Sequence, residues 1–155
     1  MKRLLVLGVG NLLLTDEGVG VHAVNALGQE SHWDFRQVDF LDGATFTQDI
    51  FHIFQEYECV LVLDAVKAGG VPGTIYRFTE ANLRENEEQR LSLHDIDLLD
   101  SLRMAELLGN KPDLVVVGIE PLTINQWSME LSAPLQAAYP KFLEAARREI
   151  RLLLS

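Results

Sequence analysis

Three short, unbroken apolar runs restrict the fold more than anything else in the chain: RLLVLGV (3–9), CVLVLDAV (59–66) and DLVVVGIEP (113–121). A strand covered on one face alternates apolar and polar residues; one covered on both faces is apolar throughout, as in a parallel sheet between helix layers. The segments between the runs have helical spacing. Val21, Val24 and Leu27 follow the first, with Thr15 expected as N-cap. Phe46, Ile50, Ile53 and Phe54 mark a helix over 45–56, and Ile96, Leu99 and Leu102 (or Met104) another opening at SLHDIDLLDSL. Ser92 and Asp95 stand there as a capping box. A weaker strand, RQVDFL (36–41), ends at Asp42-Gly43. The strand TIYRF (74–78) follows CVLVLDAV after a link too short for a crossover helix, so the two run antiparallel or are not adjacent. The polar stretch 80–90 reads as a surface loop or short helix. From Ala133 the tail is helical, with Leu135, Ala138, Phe142, Ala146, Ile150 and Leu153 inward and Pro140 expected to kink or divide it. Strands alternating with helices give an α/β sandwich with a largely parallel sheet, expected as one domain over 155 residues.

Composition narrows the partners. Twenty-three acids against 13 Lys and Arg leave a formal charge of −10, which argues against nucleic acid. The single cysteine, Cys59, lies inside an apolar run and is expected as a buried, inert thiol. The N-terminal apolar stretch passes straight into a glycine loop with no cleavage site, so it reads as a strand and not a signal peptide. No stretch is long enough to span a bilayer, and a cytoplasmic protein is expected.

GNLLLTDEGVG (10–20), behind the first strand, looks like a phosphate-binding loop but carries Asp16 and Glu17. Phosphate needs backbone amides and positive charge, and the dinucleotide fingerprint lacks its third glycine, since Leu13 stands there. A nucleotide-binding domain is therefore disfavoured. In open α/β sheets, sites lie beyond the carboxyl ends of strands. Asp16, Glu17, Asp42, Asp64 and Glu120 all follow strand ends, and His94 opens a helix that must begin near the same edge. Asp16 and Glu17 could simply favour a helix N-terminus, at ~0.3–1 kcal/mol each, and Asp42 could cap a turn. Asp64 demands more, because a carboxylate closing a strongly apolar strand needs a cation, a cap or a metal. Carboxylates with imidazole and no thiolate suit nickel, zinc or cobalt.

LVLGVGNLLLTDEGVGVHAVNAL, LVLDAV, PGT, SLHDIDLLDSL and VVVGIEP, in that order over nearly the whole chain, resemble the maturation endopeptidases of nickel–iron hydrogenases. The resemblance implies an α/β/α sandwich around a twisted five-stranded sheet. It implies removal of a C-terminal extension from the hydrogenase large-subunit precursor after nickel insertion, with nickel supplied by that partner. The family's metal-binding positions fall on Glu17, Asp64 and His94, the residues the rim had already gathered. Asp42 or Asp16 would serve as base in a metal-assisted hydrolysis, there being no Ser–His–Asp or Cys–His nucleophile. A non-catalytic nickel-binding or docking protein on the same fold is the alternative. One departure stands out: the family's Asp-Gly-Gly-Thr is DGAT here, with Ala44 in place of the second glycine, and alanine is strained if that position needs positive φ.

Overall fold

The computed structural model describes residues 1–44, 51–85 and 93–155, the side chains of 93–97 excepted. Five strands, β1 (Lys2–Gly8), β2 (Val38–Asp42), β3 (Tyr57–Ala65), β4 (Ile75–Thr79) and β5 (Asp113–Ile119), form one sheet in the order β2-β1-β3-β5-β4. Pairing is parallel except for β4, which runs antiparallel to β5 and lies beyond it from β3. Both expectations for the short 66–74 link are thus met: the two strands it joins are neither parallel nor adjacent.

The apolar runs serve two cores by strand alternation. Leu4, Val6, Cys59, Leu61, Leu63, Val115 and Val117 face one side, under α1 (Val19–Gly28) and α5 (Ala133–Leu154). Leu5, Leu7, Val60, Val62, Leu114 and Val116 face the other, under α2 (Phe51–Phe54), α3 (Glu80–Glu85) and α4 (Leu93–Leu107). Each run is continuous because each face has its own helix layer. Cys59 is buried and its thiol is pushed up by that burial. Among the described residues, no helix is long and apolar enough to cross a membrane.

Two local expectations are corrected. Thr15 does not cap α1: it sits at φ 51° and opens a 3-10 turn, Thr15–Gly18, and its hydroxyl donates to the Gln126 carbonyl. Gly18 occupies the N-cap position without a side-chain bond. Pro140 does not divide the C-terminal helix, which runs unbroken from Ala133 to Leu154. Pro140 is on the exposed face, where water can satisfy the carbonyl its missing N–H leaves free. The inward face of α5 also buries Glu149, whose carboxylate accepts two 3.0 Å hydrogen bonds from Arg77 on β4. Of the helix expected over 45–56, the structure describes Phe51–Phe54, with Phe54 buried; its first part, with Phe46 and Ile50, lies outside the described residues. So do Ser92 and the side chains of Asp95 and Ile96. Leu99 and Leu102, not Met104, fill the core from α4. The 80–90 segment begins as α3, with Leu83 buried, and is described no further than Glu85.

Candidate active site

Strand order places a switch point between β1 and β3: the chain leaves β1 toward β2 on one side and returns to β3 on the other. Crevices outside the carboxyl ends of such strands are where doubly wound sheets bind ligands. Backbone packing here is close. The Val9 amide donates to the Leu63 carbonyl at 3.0 Å, and a Cβ on Gly20 would fall on that same carbonyl oxygen and 2.8 Å from the oxygen of Val9. Gly20 therefore allows α1 to begin directly over the ends of β1 and β3. Gly10, at φ 137°, lets the 3-10 turn fold back over the strand ends, since a Cβ there would strike the Glu17 carbonyl.

Glu17 stands half-buried on this turn, which packs on β3. Asp64, at the end of β3, is 2% exposed, and its Oδ1 accepts the Ala65 amide at 2.8 Å. The two carboxylates that the sequence singled out thus belong to elements in contact at one edge, beside the positive end of α1. Asp42 closes β2 in register with Gly8. It is exposed, accepts the Ala44 amide at 2.8 Å, and lines a cleft of about 250 Å³ with Gly10, Asn11, Leu12, Val21 and Ala44.

His94 lies one residue into α4, and its side chain is outside the described residues. The backbone gives the start of α4 the reach to stand at the carboxyl edge. The far end of α4 is tied to the opposite rim: Asn110 Nδ2 donates to the Phe54 and Tyr57 carbonyls, and Gln55 Nε2 donates to those of Ala105 and Asn110. From there a helix of 15 residues spans about 22 Å, enough to carry its start back to the carboxyl edge. Among the described residues, no three His, Cys, Asp or Glu side chains form a metal-binding group; the predicted set has only two members, Glu17 and Asp64, within that description.

The remaining rim acids have structural partners. Asp16 is fully buried; its Oδ1 accepts the Ser132 amide, and its Oδ2 accepts the amides of Leu122 and Thr123 and the Ser132 hydroxyl, all at 2.7–3.0 Å. Nothing local in the sequence signals this clasp, because three of its four donors are backbone amides. Glu120 Oε1 accepts from Ala68 N, Gly70 N and Tyr76 Oη at 2.7–2.9 Å, pinning the 66–74 loop. Burial raises its pKa, but these hydrogen bonds, Tyr76 first, outweigh burial and hold it below the ordinary glutamate range.

Ala44 has φ 47°, the left-handed conformation the missing family glycine would have adopted freely. Its carbonyl accepts the Gly10 amide at 2.8 Å, so the strained turn ties β2 to the site loop. An L-residue there costs about 1–2 kcal/mol, and glycine adds about 0.4–1 kcal/mol of unfolded-state entropy. Ala44→Gly is therefore expected to stabilise the protein by about 0.5–1 kcal/mol, read as a raised midpoint in urea unfolding. A lowered midpoint would mean that the alanine is unstrained.

Comparison with known proteins agrees with this architecture. The sequence model of the HycI family, hydrogenase maturation protease, matches residues 21–149. The chain is 32% identical over 151 residues to the hydrogenase expression/formation protein HupD of Rhizobium leguminosarum bv. viciae, covering 96% of this chain and 74% of that relative. Its fold superposes on the hydrogenase maturating endopeptidase HybD from E. coli with a TM-score of 0.85 at 30% identity, over 96% of this chain and 92% of the other. The fold is shared with the [NiFe] hydrogenase maturation protease HybD from Thermococcus kodakarensis, at TM-score 0.76 and 24% identity over 94% and 97% of the two chains. With a family match across most of its length, and a 30% identical endopeptidase covering nearly all of it, the chain belongs to the hydrogenase maturation proteases.

Proposed function

We propose that the protein is an endopeptidase that removes the C-terminal extension of a nickel–iron hydrogenase large-subunit precursor, and does so only after nickel has been inserted. The reaction is expected in the cytoplasm. The observation that carries this reading is Asp64, a nearly buried carboxylate at the β1/β3 switch point beside the turn bearing Glu17. A carboxylate so withdrawn from water is held by hydrogen-bond donors, a cation or both, and two carboxylates with an imidazole suit a borderline divalent ion.

In this reading Glu17, Asp64 and His94 grip the nickel that the precursor already holds, so the metal is part of the substrate and an empty precursor is not engaged. Bound nickel would polarise the scissile carbonyl. Asp42 is the favoured base: it is exposed at the cleft, whereas both oxygens of Asp16 are occupied by the 122–132 segment. Asp42 would take one proton from the attacking water and return it to the departing amine, while hydroxide adds to the carbonyl carbon. The test incubates the protein with nickel-loaded and nickel-free precursor and weighs both products. Loss of a C-terminal peptide from the loaded form alone is expected. Cleavage of both forms would refute recognition through nickel, and binding without any mass change would identify a docking protein.

A further inference from the structure

The carboxylate of Asp16 has no role in the reaction as proposed, yet it is the most completely buried acid on the site rim. An ionised carboxylate offers about four lone-pair sites. Here all four donors come from one distant segment: Leu122 N, Thr123 N, Ser132 N and Ser132 Oγ. The same two pieces of chain are laced by backbone bonds, Asp16 N to Thr123 O, Thr15 N to Ser128 O and Ser128 N to Leu13 O, each 2.9 Å. A lone parallel bridge, Leu14 to Ser128, is the only sheet pairing recorded in the 122–132 segment. Its position therefore depends on this lacing and on Asp16.

The clasp holds together two segments that present exposed apolar side chains. Leu13 is 49% exposed, Leu122 57%, Trp127 73% and Met129 60%, on two segments bonded to each other beside Glu17. We propose that Asp16 is a positioning residue for substrate capture: it fixes the Leu122–Met129 segment to the turn carrying Glu17, so the precursor meets these apolar side chains and the metal-binding residues as one rigid unit. This rests on the processing reaction proposed above.

The chain has two tryptophans. Trp33 is buried in the core under α1, and Trp127 stands on the clasped segment. Protein labelled with 5-fluorotryptophan therefore gives a ¹⁹F signal from the segment and an internal reference, with no substrate needed. In Asp16→Asn, the Trp127 resonance should move and broaden while that of Trp33 stays. KM for the nickel-loaded precursor should rise about tenfold, the scale of one charge-assisted hydrogen bond, with kcat nearly unchanged. Ser132→Ala, which removes one donor and leaves the carboxylate, should do the same more weakly, and it decides the matter if the Asp16 variant does not fold. An unmoved Trp127 resonance in a folded variant overturns the proposal. So does a kcat loss of roughly 10²–10⁴-fold at unchanged KM, which would make Asp16 the catalytic base. If the wild-type protein leaves the precursor uncut, the processing reaction and the capture role both fall, and the fluorine spectra then report on the clasp by themselves.

Discussion

Glu17→Gln is expected to leave the fold intact and to cut processing of nickel-loaded precursor by roughly 100-fold or more. Glutamine keeps the shape of glutamate but presents a neutral amide where a divalent ion needs charge. Substitutions one shell further from a metal already cost about 10–100-fold, so loss of a direct ligand should fall at or beyond that range. Glu17 is only half-buried, and glutamine keeps its shape, so the loss of stability should stay near the small end of the range for point substitutions, about 0.5–1 kcal/mol. Thermal unfolding and the rate of peptide release, measured on one preparation, separate the two effects. Full activity in the variant would remove Glu17 from the site.

Gly20→Ala is expected to damage stability and activity together. The added methyl would lie against the Leu63 carbonyl, 2.7 Å from its carbon, and 2.8 Å from the oxygen of Val9. These are backbone atoms of β3 and of the residue that follows β1, the Leu63 oxygen accepting the Val9 amide, so no rotamer change makes room. The start of α1 must move away from the strands and take the Glu17 turn with it. Overpacking of this kind costs about 3 kcal/mol, the upper part of the usual range. For a chain of this size that lowers the unfolding midpoint by about 6–12 °C. Gly28→Ala, at the other end of the same helix, is the control. Its nearest neighbour is Phe40 Cβ at 3.1 Å, so a shift of a few tenths of an ångström suffices where Gly20 would need far more, and the midpoint should change by less than about 4 °C. Equal effects at the two positions would show that helix propensity, not the approach of α1 to the strand ends, governs Gly20.

The sheet was readable because β1, β3 and β5 are buried on both faces and therefore apolar through their central positions, a pattern that needs no knowledge of the partner elements. Asp64 was readable for the same reason, being the charge that interrupts such a run. The condition set for Ala44 is met, φ being 47°, and it could be posed from sequence because positive φ is a local property and DGAT departs from the family pattern at that one residue. Asp16 is a different case. Its two expected roles, helix-end acid and base, came from its place after a strand and at the start of a helix and from the family resemblance, whereas its donors stand 106 to 116 residues away. Backbone amides leave no signature in a sequence, and the irregular 122–132 segment has no periodicity to mark its place. Thr15 was misread through the same locality: its hydroxyl bonds across to Gln126 instead of capping the helix beside it. Pro140 leaves α5 undivided because it stands on the solvent side of the helix, a placement that no local rule supplies.

Crystals grown with nickel, measured on either side of its absorption edge, test the centre of the account most directly. The account predicts one anomalous peak at the carboxyl edge of β1 and β3, about 2.0–2.2 Å from a carboxylate oxygen of Glu17, one of Asp64 and an imidazole nitrogen of His94, the spacing of first-row divalent ions on such donors. A nickel ion bound elsewhere on the molecule, with these three side chains turned to different surroundings, would contradict it.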